Sequence, residues 1–142
     1  PMNTGGKWKN DWGSIQCTIA HHSSGLPDGT YGGSPMGFSL TTNDGRLHYS
    51  SDTALHLDMQ LLGRYYRPDW CVLPVGDNFT MGYEDALIAS NFLECSSVIG
   101  VHFDTFEYIE IDHEAAVNHF AEHGKLLYLP EIGDVLDLER VH

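Results

Sequence analysis

No apolar run in this 142-residue chain approaches the roughly 20 residues that a membrane-spanning helix needs, and no signal peptide opens it. Basic residues are scarce: seven Lys and Arg stand against 20 Asp and Glu, for a formal charge of -13. Such a chain repels phosphate backbones and anionic lipid, which excludes nucleic acid and membrane surfaces as expected partners. It suits divalent cations better. Cysteine is nearly absent, with only Cys17, Cys71 and Cys95. An odd count at wide spacing beside apolar residues excludes a disulfide framework and a Cys-based zinc site, and predicts buried reduced thiols in a cytoplasmic protein. There is no Gly-x-Ser-x-Gly elbow around Ser23 and Ser24, so a serine nucleophile is not expected.

What is present is ordinary globular composition, 42% hydrophobic, enough to bury a core. Residues 14–20 alternate and read as a strand. Residues 36–42 and 46–50 read as strands joined by Asn-Asp-Gly, a hairpin signal because Asn and Gly tolerate positive φ. Residues 54–66 carry leucines at near-helical spacing, with Pro68 beyond as a stop. The continuous apolar runs 69–75 and 97–102 read as buried strands flanking a helix over 83–94. Asp112 as N-cap, an acidic first turn and Gly124 as stop predict a helix between them. Residues 125–129 and 134–138 are expected as closing strands. A β-rich front followed by strand–helix alternation indicates a mixed α/β organisation in one domain.

Three metal-type residues recur just beyond strands: His22, Asp52 and His102. In sheets covered by helices, ligand sites gather outside the carboxyl ends of strands. Imidazoles and a carboxylate suit zinc, manganese or iron, and a carboxylate has two oxygens with which to bridge two ions. Each residue also has a plainer reading. Asp52 could cap the next helix, His102 could be a satisfied strand-end histidine, and adjacent His21 and His22 should point to opposite faces. His119 and His123, one turn apart, read as a solvated helix face.

The runs "IAHHSSGLPDGTYGGSPMGFSL", "HYSSDTALHLDM", "LPVGDNFTMGYEDA" and "VHFDTF" resemble the second half of a metallo-β-lactamase-fold metal-dependent hydrolase. The similar branch comprises small hydrolases of mostly unassigned substrate, related to the ascorbate-phosphate lactonases. The resemblance implies an α+β fold: the C-terminal half of an αββα sandwich, a mixed sheet with helices on one face, over residues 1–142 as a single partial domain. It implies His22, before the Ser/Gly run, as one metal ligand. Asp52 would be the bridging and catalytic carboxylate, and His102 the last ligand. Asp77 and Asn78 would lie at the mouth of the site as substrate or second-sphere contacts. The cofactor would be zinc or manganese, two ions in the intact enzyme, with a metal-bound hydroxide cleaving an ester, lactone, amide or phosphate-ester bond of a small molecule.

Two departures stand out. Ser51 occupies the Gly position of the family's Gly-Asp-Thr motif, and Phe103 and Asp104 replace Tyr and Asn of the last motif. The family's His-x-His-x-Asp-His motif is missing. With Pro1 as first residue, this predicts the C-terminal half of a longer enzyme, weakly active or inactive alone, associating as a homo-oligomer or with the upstream half of the same fold. The alternative is a non-catalytic binding or assembly module that keeps the half-fold and pairs with another chain.

Overall fold

A computed structural model describes residues 1–138. Seven strands form one sheet in sequence order: β1 (Lys7–Asn10), β2 (Gly13–Ile19), β3 (Met36–Thr42), β4 (Arg46–Tyr49), β5 (Trp70–Pro74), β6 (Ser97–Val101) and β7 (Leu126–Tyr128). The first four pair antiparallel and the last four parallel. The change occurs where hairpin connections give way to helical crossovers, because parallel neighbours need a long connection. Those crossovers contain α1 (Asp58–Tyr66), α2 (Tyr83–Phe92) and α3 (His113–Glu122).

The helices form where local signals are clear. The Asp112 side chain accepts from the Ala115 N–H at 3.0 Å, which caps α3, and Gly124 follows at φ 70°. Helix α1 starts only at Asp58, later than its leucine spacing predicts, so Asp52 is not its cap. Met59, Ala86, Leu87, Ala89, Ala116 and Phe120 pack from the three helices onto Cys71, Leu73, Val98 and Leu127 of the sheet. All three thiols are free and buried, as expected.

Paired residues share a sheet face, so the register sorts the side chains. The row Gln16, Ser39, His48, Cys71, Val98, Leu127 faces the helices. The row Cys17, Phe38, Tyr49, Val72, Ile99, Tyr128 faces away, and beside it runs Trp8, Ile15, Leu40, Leu47, Trp70. The helix-free face is therefore apolar almost throughout.

One expectation is corrected, and one strand is added. Residues 134–138 form no strand: the chain turns at Glu131–Asp134 and runs on irregularly, with Val135 88% exposed and Leu138 lining a cavity with Leu40, Leu47 and Trp70 of the helix-free face. The polar opening contains β1, which pairs with β2 and is invisible to periodicity because Lys-Trp-Lys-Asn is only four residues long. Among the described residues no helix is long and apolar enough to cross a membrane.

Candidate metal centre

Strands β2 and β4 both run antiparallel to β3, and β5 and β6 run parallel to β4. All four therefore end at the same edge of the sheet. That edge carries His22 after β2, Asp52 after β4, Asp77 and Asn78 after β5, and His102 after β6.

The segments leaving these strands are stitched to one another. The His21 N–H donates to Thr53 Oγ1 at 2.9 Å, and the Ala54 N–H donates to the His21 carbonyl at 3.1 Å. Thr53 is fully buried, and its carbonyl accepts from the Met81 N–H at 3.2 Å. Gly76 lies so close to His102 that a Cβ there would stand 2.1 Å from the His102 carbonyl oxygen. Neither Thr53 nor Gly76 was singled out from the sequence, although both fall within the runs that carry the resemblance.

The turns that present the polar side chains are left-handed. Ser51, Asp77, Asn78, His102 and Asp104 all have φ between 55° and 61°. This conformation costs a non-glycine residue about 1–2 kcal/mol. Ser51 thus adopts at φ 61° the backbone that glycine would take without strain, and Asp52 follows from it.

The structure brings Asp52 and His102 together, with Oδ2 3.9 Å from Nε2 and the side chains 47% and 26% exposed. That separation is too long for a hydrogen bond. It fits two donors sharing one ion, since two bonds of about 2.0–2.2 Å span at most roughly 4.4 Å. The other ring nitrogen, Nδ1 of His102, is buried with no hydrogen-bond partner. A ligating histidine ordinarily donates its second ring N–H to a partner, so the fit rests on the donor set alone, an imidazole and a carboxylate at a separation one ion can span.

His22 is exposed, and its Nδ1 lies 2.9 Å from the Ser23 carbonyl oxygen. A carbonyl only accepts, so Nδ1 carries the proton and the neutral ring keeps its lone pair on Nε2. His21 turns elsewhere, its ring 4.7 Å from that of His56. Among the described residues, no three His, Cys, Asp or Glu side chains stand together as a metal-holding group. Asp52 and His102 meet, and His22 shares their edge without joining them.

Asp77 Oδ1 accepts from the Asn78 N–H at 2.7 Å, closing the turn of "GDNFTMG", while Gly76 and Gly82 bridge its base. Next to His102, Asp104 Oδ2 bonds His113 Nε2, and Asp104 Oδ1 accepts from the Ile111 N–H at 2.9 Å. A cleft of about 740 Å³ is lined by His102, Asp104 and His113 on one side and by Leu129, Pro130 and Ile132 on the other. His119 is half-buried on α3 and His123 is exposed just past its end, with His123 Nδ1 2.8 Å from the His119 carbonyl.

A family model described as a β-lactamase superfamily domain matches residues 1–103. The chain is 49% identical over 138 residues to a UPF0173 metal-dependent hydrolase of Christiangramia forsetii. It is 42% identical over 139 residues to one of Thermus thermophilus. These alignments take in 97% and 98% of the chain but only 61% and 62% of the relatives. The chain thus spans less than two thirds of the length of the curated relatives it matches. Among solved structures it resembles Igni18, a metallo hydrolase from Ignicoccus hospitalis, at 30% identity and TM-score 0.81, covering 93% of this chain and 57% of that one. The fold is shared at 20% identity and TM-score 0.68 with an isothiocyanate hydrolase from Delia radicum gut bacteria.

Proposed function

The chain belongs to the β-lactamase superfamily domain family, and on that footing we propose that it forms part of a metal-dependent hydrolase acting on a small molecule. The observation that carries the reading is the Asp52–His102 pair, with Oδ2 and Nε2 3.9 Å apart at the edge of the sheet where β2, β4, β5 and β6 end. The names of the relatives, metal-dependent hydrolases and a metallo hydrolase, support it.

Asp52, His102 and His22 are the residues that would hold the metal. A divalent cation there, zinc or manganese by the preferences of imidazole and carboxylate, supplies Lewis acidity and lowers the pKa of water toward neutrality, the chemistry needed to open an ester, lactone, amide or phosphate-ester bond. Asp52 has two oxygens and is the residue able to bridge two ions. The bond from His22 Nδ1 to Ser23 fixes its tautomer and leaves Nε2 as donor atom. Asp77 and Asn78, on a turn braced against His102, would contact substrate or orient a ligand. These three donors would need further ligands to complete a cage for two ions, and this chain alone is expected to turn over little.

The test is metal binding. Titration with Zn²⁺ or Mn²⁺, followed calorimetrically, should show binding that Asp52→Ala and His102→Ala each weaken at least roughly tenfold. Equal affinity in wild type and both variants would remove these residues from the site. Hydrolysis of generic esters and lactones by the full native chain, abolished by chelator, is the accompanying activity readout.

A further inference from the structure

We propose that Cys71 and Cys95 form a redox site, in which a peroxide oxidises Cys95 and Cys71 then closes on it as an intramolecular disulfide. The site lies at the opposite end of β5 and β6 from the metal edge. The inference goes beyond the hydrolase reading and does not depend on it.

Backbone contacts fix the geometry of the pair. Cys71 is the second residue of β5 and lies beside Val98 of β6. Cys95 stands two residues before β6. Its Sγ is 3.3 Å from the Ser97 carbonyl oxygen and 3.7 Å from that of Asp69. Ser97 immediately precedes Val98, and Asp69 is two residues ahead of Cys71. The Cys95 sulfur is thus seated across the starts of both strands, in the same core cluster as Cys71. A hydrogen bond joins the two thiols. Cys17 is equally buried but belongs to the row on the helix-free face, beside Phe38, so the sheet separates it from this pair.

The surroundings make the two sulfurs unequal. The hydrogen bond from Cys71 holds the Cys95 thiol below the usual range, and the Lys125 ammonium, whose Nζ donates to the Cys95 carbonyl at 2.7 Å, acts in the same sense. Asp69 opposes this, and Arg46 stands 3.6 Å from its carboxylate. Burial pushes the Cys71 thiol well up. The thiolate is the nucleophile, so Cys95 attacks and Cys71 resolves. Cys95 itself is only 1% exposed. A cleft of about 250 Å³, however, is lined by Glu94 and Ser96 on either side of it and by Asp69 and Ser97, whose carbonyls its sulfur faces. Hydrogen peroxide is little larger than water, and this cleft is its route.

The reaction balances in two steps. The Cys95 thiolate attacks one peroxide oxygen: an S–O bond forms, the O–O bond breaks, and the departing hydroxide takes up the proton that Cys95 had released. Cys71, giving up its own proton, then attacks the sulfur of the resulting sulfenic acid. The S–S bond forms, the S–O bond breaks, and the second hydroxide leaves as water with that proton. The two thiols lose two electrons and peroxide is reduced to two waters. The bond closes a ring that contains the "GDNFTMG" loop and α2.

The folded, reduced chain is exposed to hydrogen peroxide, its remaining thiols are blocked with iodoacetamide, and its peptides are mapped by mass spectrometry. The intact mass should fall by two hydrogens. The peptide joining Cys71 to Cys95 should outweigh either pairing with Cys17 by at least roughly tenfold, because the fold brings only that pair together. The same treatment in urea should erase the preference. Cys71→Ala should leave Cys95 as a sulfenic acid that dimedone traps, and Cys95→Ala should leave Cys71 reduced. A wild-type map that joins Cys17, or that shows no disulfide while the unfolded chain oxidises, would overturn the proposal even if neither variant folds. Dimedone capture at Cys71 in Cys95→Ala, as fast as the wild type loses its thiols, would overturn the assignment of Cys95 as the attacking sulfur.

Discussion

His48 lies on the helix side of β4, 2% exposed, with Nδ1 3.0 Å from Ser39 Oγ. Burial, and secondarily the neighbouring His56, push its pKa down to about 4 from the ordinary 6.5. The folded chain thus refuses a proton that the unfolded chain accepts. Between about pH 6.5 and 4 the unfolded state binds more protons, so stability falls as pH falls through that window and is undiminished by this group above it. The loss amounts to roughly 3 kcal/mol once the pH reaches 4. Urea unfolding at pH 7.5 and pH 4.5 should show it, and His48→Gln should flatten the dependence. An unchanged slope in the variant would place the acid sensitivity elsewhere. The sequence offered His48 no special status. It is one of nine histidines, and only its position in the sheet register separates it from the exposed ones. The same holds for His21 and His22. Alternation predicts that they diverge, but that His21 is fixed by Thr53, thirty-two residues on, is a fact of tertiary pairing.

At the scale of elements, the loop "GDNFTMG" between β5 and α2 brings the edge of the sheet together. Its base rests on His102 through Gly76, its Asp77 N–H donates to the Met81 carbonyl at 3.0 Å, and the Met81 N–H reaches back to Thr53. It thus ties the turn carrying Asp52 to the turn carrying His102. Backbone, not a flexible side chain, occupies the space a Cβ would need at Gly76. Gly76→Ala should therefore displace His102, destabilise the chain by about 1–3 kcal/mol and weaken metal binding together with stability. A variant with wild-type melting temperature and metal affinity would show that the loop does not position His102. Elements with local signals were legible in advance: the 36–42 strand, the Asn-Asp-Gly hairpin, and the α3 cap and stop. Strand β1 was not, because a four-residue strand exists only through its pairing with β2. The tail at 134–138 erred the other way, since its alternation is real but no strand edge receives it.

The whole molecule has one finished face and one unfinished face. Helices cover the row from Cys71 to Leu127, whereas Phe38, Tyr49, Val72, Ile99 and Tyr128 line a sheet surface without a helical layer. Tyr49 is 38% exposed and Trp8 49%. The order of strands and helices could be read from the sequence. That four strands deliver their ends to one edge, and that the other face is a continuous apolar surface, could not, because both depend on which strand lies beside which. Contiguous apolar surface of this kind drives association in water. The chain by itself is therefore expected to self-associate through the helix-free face. Light scattering coupled to gel filtration should report a mass of at least twice 15.8 kDa. Tyr49→Asp places a charge at the middle of that face and should shift the chain toward the monomer, while leaving the hydrogen-bonded edge that holds Asp52 and His102 in place. A wild-type chain that stays monomeric and stable at high concentration would show that the face needs no partner. Persistent association in Tyr49→Asp would locate the contact on the helical side instead.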